Sequence, residues 1–302
     1  MVSAVTVRVP ATTANLGPGF DTLALALDLW NEAVFQPVES GLTITVEGEG
    51  KGVLPLDGKN LVLKAVEALC KHVNRAVPGL AVHCTNQIPL GSGLGSSAAA
   101  TLLGLMGANA VLGAPLNRDQ ILEMAIQMEG HPDNAAAAMN GGLVVVSGLN
   151  PHGWLVRRYD LPALCAALVL PDFDFPTHAA RAALPKQVPF GDAVFNMGRA
   201  LLVVEALRSG DLDLLGTAME DRLHQPYRLP LIPQAAEVMA AARRAGAAAI
   251  AISGAGPSVI AFTANDPSRV ASAMADEFQT VGIPSRSFQL KTSNSGAEWN
   301  FS

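Results

Sequence analysis

The sequence predicts an α+β protein built as two domains. Strand-period and helix-period segments mix along the whole chain, which indicates α+β layers. At 302 residues the chain exceeds one usual core, and the turn-rich stretch 148–153, Gly-Leu-Asn-Pro-His-Gly, offers a place to divide it. The expected domains are residues 1–150 and 151–302.

In chain order, β-branched residues at period two predict strands at 4–9, 42–46 and 80–85. Between the second and third, 61–73 reads as a helix with Asn60 at its N-cap. A Gly-rich segment at 91–95 then opens a long apolar helix over 96–112, and Asn117 caps another that runs to 128. Gly130 and Pro132 break that helix, a short Ala-rich one starts at Asp133, and 143–147 is a strand. In the second half, strands are expected at 166–170, 248–253, 259–263 and 285–290. Helices are expected at 177–183, 192–209, onward to 244, and at 267–279. The last dozen residues, polar and rich in Ser and Asn, read as a loose tail.

Composition excludes several functions. A net charge of −6 argues against nucleic acid as a standing partner, since phosphate backbones are held chiefly by clustered Lys and Arg. Residues 98–116 are nearly free of charge and about the length of a membrane span, but they are rich in Ala and Gly, end at Pro115 and lack an aromatic belt. A buried helix is expected there, and no membrane partner. Residues 1–10 lack the basic and apolar regions of a secretory signal. Cys70, Cys84 and Cys165 form no CxxC pair, so buried thiols in a reducing, cytoplasmic setting are expected.

Two segments carry chemistry. Pro89-Leu90-Gly91-Ser92-Gly93-Leu94-Gly95-Ser96-Ser97 stands between a strand and an apolar helix. Glycine lets successive N–H groups point into one concavity, and the helix start adds unsatisfied amides and the positive end of its dipole. The expected ligand is a polyphosphate, with Ser96 and Ser97 supplying hydroxyls to phosphate or to Mg2+. No Walker A lysine follows, nor a full G-x-G-x-x-G. If the next two helices pack antiparallel, Glu123 is the carboxylate that reaches this loop. The second segment is Glu129-Gly130-His131-Pro132-Asp133-Asn134, which sets His131 on a turn and Asp133 and Asn134 at a helix start. Asp133 reads equally well as a helix cap.

Together with residues 10–21, Pro-Ala-Thr-Thr-Ala-Asn-Leu-Gly-Pro-Gly-Phe-Asp, and 252–258, Ile-Ser-Gly-Ala-Gly-Pro-Ser, these segments resemble the GHMP kinases over nearly the whole chain. The Asn-Leu-Gly-Pro-Gly-Phe-Asp and Gly-His-Pro-Asp-Asn runs resemble the narrower branch that phosphorylates homoserine. The resemblance implies an N-terminal domain like that of ribosomal protein S5, a ferredoxin-like C-terminal domain and a cleft between them. It implies ATP along the loop from Pro89 to Ser97, with Asn60 on the adenosine side, and Mg2+ held by Ser96 or Ser97 and Glu123. Asn15, Asp21, His131, Asp133 and Asn134 would line the pocket for L-homoserine, with Asp21 and Asp133 meeting its ammonium. Thr177, Arg181 and Arg228 would meet its carboxylate, and Gly254 would form a second tight turn. Asp133 matches the aspartate read as a base in related sugar and mevalonate kinases. The homoserine branch is read instead as orienting the hydroxyl with Asn134 and an arginine, here Arg181. A homodimer is also implied. Two alternatives are a GHMP kinase acting on another small alcohol, such as mevalonate or shikimate, and an inactive ATP-binding sensor that would have lost its acidic residues.

Overall fold

The computed structural model describes residues 4–149, 153–173, 175 and 177–301. The first layer is a seven-stranded sheet. It contains β1 (Val5–Ala14), β2 (Leu23–Pro37), β3 (Leu42–Gly48), β4 (Leu80–Asn86), β5 (Leu143–Gly148), β6 (Trp154–Tyr159) and, from the far end of the chain, β11 (Glu298–Phe301). Against it lie α1 (Leu61–His72), α2 (Ser96–Val111), α3 (Arg118–Glu129) and α4 (Asp133–Asn140). The second layer is a four-stranded antiparallel sheet of β7 (Cys165–Pro171), β8 (Ala249–Ile252), β9 (Val259–Thr263) and β10 (Ser285–Lys291). Its helices are α5 (Thr177–Ala182), α6 (Phe190–Ser209), α7 (Leu212–Ala218), α8 (Gln225–Arg228), α9 (Ala235–Arg244) and α10 (Pro267–Gln279). The spatial order β10-β7-β9-β8, fourth-first-third-second in the chain, is the ferredoxin-like arrangement that the resemblance implied.

The long strand β2 organises the first sheet. It pairs β1 along its length, β4 through residues 31–37 and β5 through residues 23–25. Sequence reading missed it, because Leu and Ala alternate through 23–27 and all of them are buried, which erases the inside-outside period. In β1 the register shifts between Pro10 and Ala11, where proline cannot donate to the ladder. Beyond that irregularity Ala11–Ala14 is wholly buried and carries Thr12 and Thr13 toward the helix starts.

The helix α2 is buried on nearly every side, which explains its uniform apolarity. It crosses α1 closely: a Cβ on Gly104 would stand 2.3 Å from the Val62 carbonyl oxygen. Among the described residues no helix is long and apolar enough to cross a membrane. Asn60 caps α1 by accepting from Val62 N, and Asn117 forms a capping box with Gln120 at the start of α3, as their positions in the sequence predict.

Two expectations are corrected. The stretch 148–153 does not divide domains: it joins β5 to β6 as a hairpin of the first sheet, with Leu149 N donating to Gly153 O at 2.9 Å. Its tip, 150–152, lies outside the described residues. The chain passes to the second sheet only ahead of β7. The terminal segment is no loose tail either. β11 pairs antiparallel with β1, and Trp299 packs edge-on against Phe301 at 5.2 Å. A polar composition concealed a strand whose pairing partner lies at the other end of the chain.

Candidate active site

Three turns from distant parts of the sequence meet at the start of α2. Gly93 and Gly95 both adopt the left-handed region, at φ 74° and 71°. Gly95 is the N-cap of α2 and brings no side chain, so the first amides of the helix face the cleft without a protein cap. A Cβ would have no room: at Gly93 it would lie 2.2 Å from the Ser253 carbonyl oxygen, and at Gly95 2.1 Å from Thr12 Oγ1. The turns are tied together. Thr12 N donates to Leu94 O (3.0 Å) and Gly254 N donates to Ala14 O (3.1 Å). Ser253 Oγ donates to Gly93 O at 2.8 Å, and Asn15 Nδ2 donates to Gly254 O at 2.7 Å.

The 15–21 loop is held in strained backbone. Asn15, Leu16 and Asp21 all have positive φ, which costs a non-glycine residue about 1–2 kcal/mol. Leu16 is fully buried, and Asn15 Oδ1 accepts from Asp21 N at 3.0 Å, so packing and hydrogen bonding hold the conformation. The loop thereby presents Phe20 and Asp21 to the cleft. Arg181, from α5, forms a two-pronged pair with Asp21 at 2.9 and 3.0 Å. Arg228, from α8, is 2% exposed. Its Nε donates to Ala180 O at 3.3 Å and its Nη1 to Gly254 O at 3.2 Å. Both guanidinium groups stack on Phe20, at 5.1 Å for Arg228 and 5.5 Å for Arg181. Burial pushes the Arg228 pKa below its ordinary value, and Arg181 adds to this.

Arg228 is braced from behind. Buried His224 stands with Nε2 2.7 Å from the Gly17 carbonyl oxygen, so Nε2 carries the proton. Its Nδ1 is then free to accept from Arg228 Nη1 at 3.4 Å. Desolvation lowers the His224 pKa, which keeps this ring neutral.

Opposite the arginines, Asp133 is 2% exposed. Its Oδ1 accepts from Asn134 N (2.8 Å) and from His131 Nδ1 (3.0 Å). Asn134 Oδ1 accepts from the Thr12 hydroxyl at 2.8 Å. The hydrogen bond to Asp133 raises the His131 pKa above 6.5, against the effect of burial. A histidine raised in this way contributes stability that is complete below pH 6.5 and is lost as pH rises through its folded value. Titration of the His131 ring by NMR therefore gives a midpoint above that of a free histidine, and Asp133→Asn brings it back down.

The expectation for Glu123 is corrected. Helices α2 and α3 do run antiparallel, but Glu123 is exposed on the far side of α3, in a recess with Asn117, Trp154 and Arg158. The carboxylate that reaches the loop is Glu129, six residues and about 9 Å further along the helix. Its Oε1 accepts from the Ser97 hydroxyl (3.0 Å) and from the Thr101 hydroxyl (2.7 Å). An antiparallel neighbour meets the start of α2 at its own C-terminal end, and Gly130 marks that end in the sequence, so the signal was present.

Of the other expected residues, Asn15, Asp21, Gly91, Ser92, Gly93, Gly95, Ser96, Ser97, His131, Asp133, Asn134, Arg181, Arg228 and Gly254 line one cleft with Glu129. Ser92 braces the loop by donating to Pro89 O at 2.8 Å. Leu94 belongs to the loop through its backbone, while its side chain is fully buried in the core. Pro89 and Leu90 border a neighbouring groove. Thr177 opens α5, and its side chain lies outside the described residues. Asn60 lies in an adjoining recess of about 270 Å³ with Val46, Leu54, Val62, Cys84, Leu90 and the two serines Ser96 and Ser97. Thr12, Ser253 and Glu129 had no assigned role in the sequence reading.

The family model for the GHMP kinase N-terminal domain matches residues 60–142, and that for the C-terminal domain matches residues 203–280. The homoserine kinase of Moorella thermoacetica is 46% identical over 292 residues, covering 96% of this chain and 98% of that one. The chain belongs to the GHMP kinases, in the homoserine kinase family. A homoserine kinase from a Synechococcus strain is 41% identical over 98% of this chain and 95% of its own. The crystal structure of homoserine kinase from Cytophaga hutchinsonii superposes with a TM-score of 0.88 at 32% identity, covering 99% of this chain and 98% of that chain. Mevalonate kinase from L. major superposes at 0.72 with 16% identity over 96% of both chains, and so shares the fold alone.

Proposed function

We propose that this chain transfers the γ-phosphoryl group of ATP to the side-chain hydroxyl of L-homoserine, giving O-phospho-L-homoserine. One observation carries the reading. A single cleft joins the uncapped amides of α2 to a set of opposite charges, Asp21 and Asp133 against Arg181 and Arg228, that matches an amino-acid zwitterion. Mevalonate and shikimate carry a carboxylate but no ammonium, and would add no positive group beside Asp133 beyond the bonds it already makes to His131 and Asn134.

In this reading the loop amides hold the phosphates, and the recess around Asn60 takes the adenine. Asn60 itself shapes the recess: its Oδ1 accepts from Val62 N and its Nδ2 donates to Pro55 O. The donor set fits Mg2+, which favours one carboxylate, hydroxyls and phosphate oxygens; Glu129 with Ser96 or Ser97 would hold it. When bound, Mg2+ would offset negative charge on the transferred group. Asp21 and Asp133 bind the ammonium, and Arg181 and Arg228 bind the carboxylate. With its oxygen engaged by Thr12 and one N–H directed to Asp133 Oδ1 at 3.4 Å, the Asn134 amide keeps a second N–H to orient the acceptor hydroxyl. Positioning of this kind can lower a barrier by roughly 7–11 kcal/mol.

Asp133 is assigned to positioning. Its Oδ1 is already bonded to a peptide N–H and to His131, which holds the carboxylate in a fixed orientation as a binding group. Asp133→Asn accordingly raises KM for homoserine with a smaller change in kcat; a fall in kcat of several orders at constant KM would make it the base. The reading as a whole is tested by ADP release with L-homoserine, mevalonate and shikimate in parallel. Turnover with L-homoserine far above the other two is expected. A preference for either of the others, or no turnover with any, rejects it.

A further inference from the structure

Arg228 meets the cleft from a buried position, so the direction of its guanidinium depends on what stands behind it. Of the five N–H groups of an arginine, three are engaged here: Nε on Ala180 O at 3.3 Å, and the pair on Nη1 with Gly254 O at 3.2 Å and His224 Nδ1 at 3.4 Å. The two on Nη2 meet no acceptor among the described residues, and the side chain lines the cleft beside Asp21 and Gly254. Two of the three backing acceptors are backbone carbonyls, which any sequence supplies. The third is a side chain, and an imidazole accepts only through a ring nitrogen that carries no proton.

His224 is held in the form that can accept. Its Nε2 stands 2.7 Å from the Gly17 carbonyl oxygen and 3.4 Å from Asp221 Oδ2, both acceptors, so the proton stays on Nε2 and Nδ1 is bare. Asp221, its side chain fully buried, anchors the turn that leads into α8. Its Oδ1 accepts from Asn196 Nδ2 (2.7 Å) and Leu223 N (2.8 Å), and its Oδ2 from His224 N (3.0 Å) and Gln225 N (2.6 Å). His224 at the N-cap and Arg228 at the end of α8 are four residues apart and share a face. Phe20 covers that face, its ring centroid 5.3 Å from that of His224. A proton on Nδ1 would set a second cation against Arg228 where burial already disfavours charge. An apolar ring would fill the same space without needing polar partners, so the imidazole is explained by its acceptor.

We infer that His224 is a positioning residue for acceptor recognition: its bare Nδ1 aims Arg228 so that Nη2 faces the acceptor's carboxylate. This rests on the reading of the cleft as an L-homoserine site, and it concerns the carboxylate end alone.

Two variants test it. His224→Gln keeps an amide for Gly17 at the Nε2 position and offers nothing at the Nδ1 position, whereas His224→Asn sets an oxygen close to where Nδ1 stood. Steady-state rates are measured with L-homoserine and with 3-amino-1-propanol, which has no carboxylate to misalign. His224→Gln is expected to raise KM for L-homoserine by about tenfold, the scale of one lost hydrogen bond, with kcat changed by less than about threefold. His224→Asn recovers most of that loss, and neither variant changes kcat/KM for 3-amino-1-propanol. An equal fall on both substrates would mean that the ring only supports the fold, and an unchanged KM in folded His224→Gln would mean that Arg228 needs no aim; either overturns the inference. Should neither variant fold, the unaltered enzyme decides: two-bond proton–nitrogen spectra of its labelled histidines at neutral pH are expected to show His224 protonated at Nε2 alone, and a ring protonated at Nδ1 overturns the inference. An unaltered chain that uses 3-amino-1-propanol as readily as L-homoserine would reject the reading of the cleft and the inference with it, whereas the variants bear on His224 alone.

Discussion

Glu129→Gln lowers kcat by about 100-fold and raises the Mg2+ concentration needed for half-maximal rate, the scale expected when a ligand or its orienting partner is lost. Glu123→Gln leaves both unchanged. The contrast is diagnostic because the two residues sit on one helix and differ in where they point. Glu129 accepts from Ser97 and Thr101 inside the cleft, whereas Glu123 faces a separate recess. Since Gln keeps an acceptor for both hydroxyls, the local hydrogen bonds survive and only the charge is lost. Rates measured across a magnesium titration check this. Equal effects from the two substitutions would place the metal elsewhere.

The second large effect is Gly93→Ala. The new methyl group would meet the Ser253 carbonyl oxygen at 2.2 Å, and backbone cannot swing away as a side-chain tip can. The positive φ adds about 1–2 kcal/mol of strain. The loop must therefore move, taking with it the amides beside α2, and nucleotide affinity falls by about 100-fold or more, the scale of losing aligned backbone donors. Homoserine affinity changes less, because Asp21, Asp133 and the arginines hang on other segments. Calorimetric titration with a nonhydrolysable ATP analogue and with homoserine separates the two effects.

The helices of the first domain were legible where caps punctuate them. Asn60, Gly95, Asn117 and Gly130 each mark an end by local chemistry that survives in the sequence. Strands β2 and β11 were not legible. The first is covered on both faces through residues 23–27, where its period is erased, and the second depends on β1, almost the full chain away. The site divides in the same way. The glycine loop is contiguous, so its residues could be read together. The Thr12–Asn134 and Ser253–Gly93 bonds join residues 122 and 160 positions apart, and no local pattern announces them. Glu129 was passed over for Glu123 because packing direction was considered without the register of the two helices.

The charges of both signs that line the cleft stand behind the assignment of an amino-acid acceptor. The most direct test compares kcat/KM for L-homoserine with 4-hydroxybutyrate, which lacks the ammonium, and 3-amino-1-propanol, which lacks the carboxylate. Each loses a partner for a buried or paired charge, so each is expected to fall by about 10³-fold or more. Either analogue turning over within about tenfold of homoserine would contradict recognition of a zwitterion by Asp21, Asp133, Arg181 and Arg228.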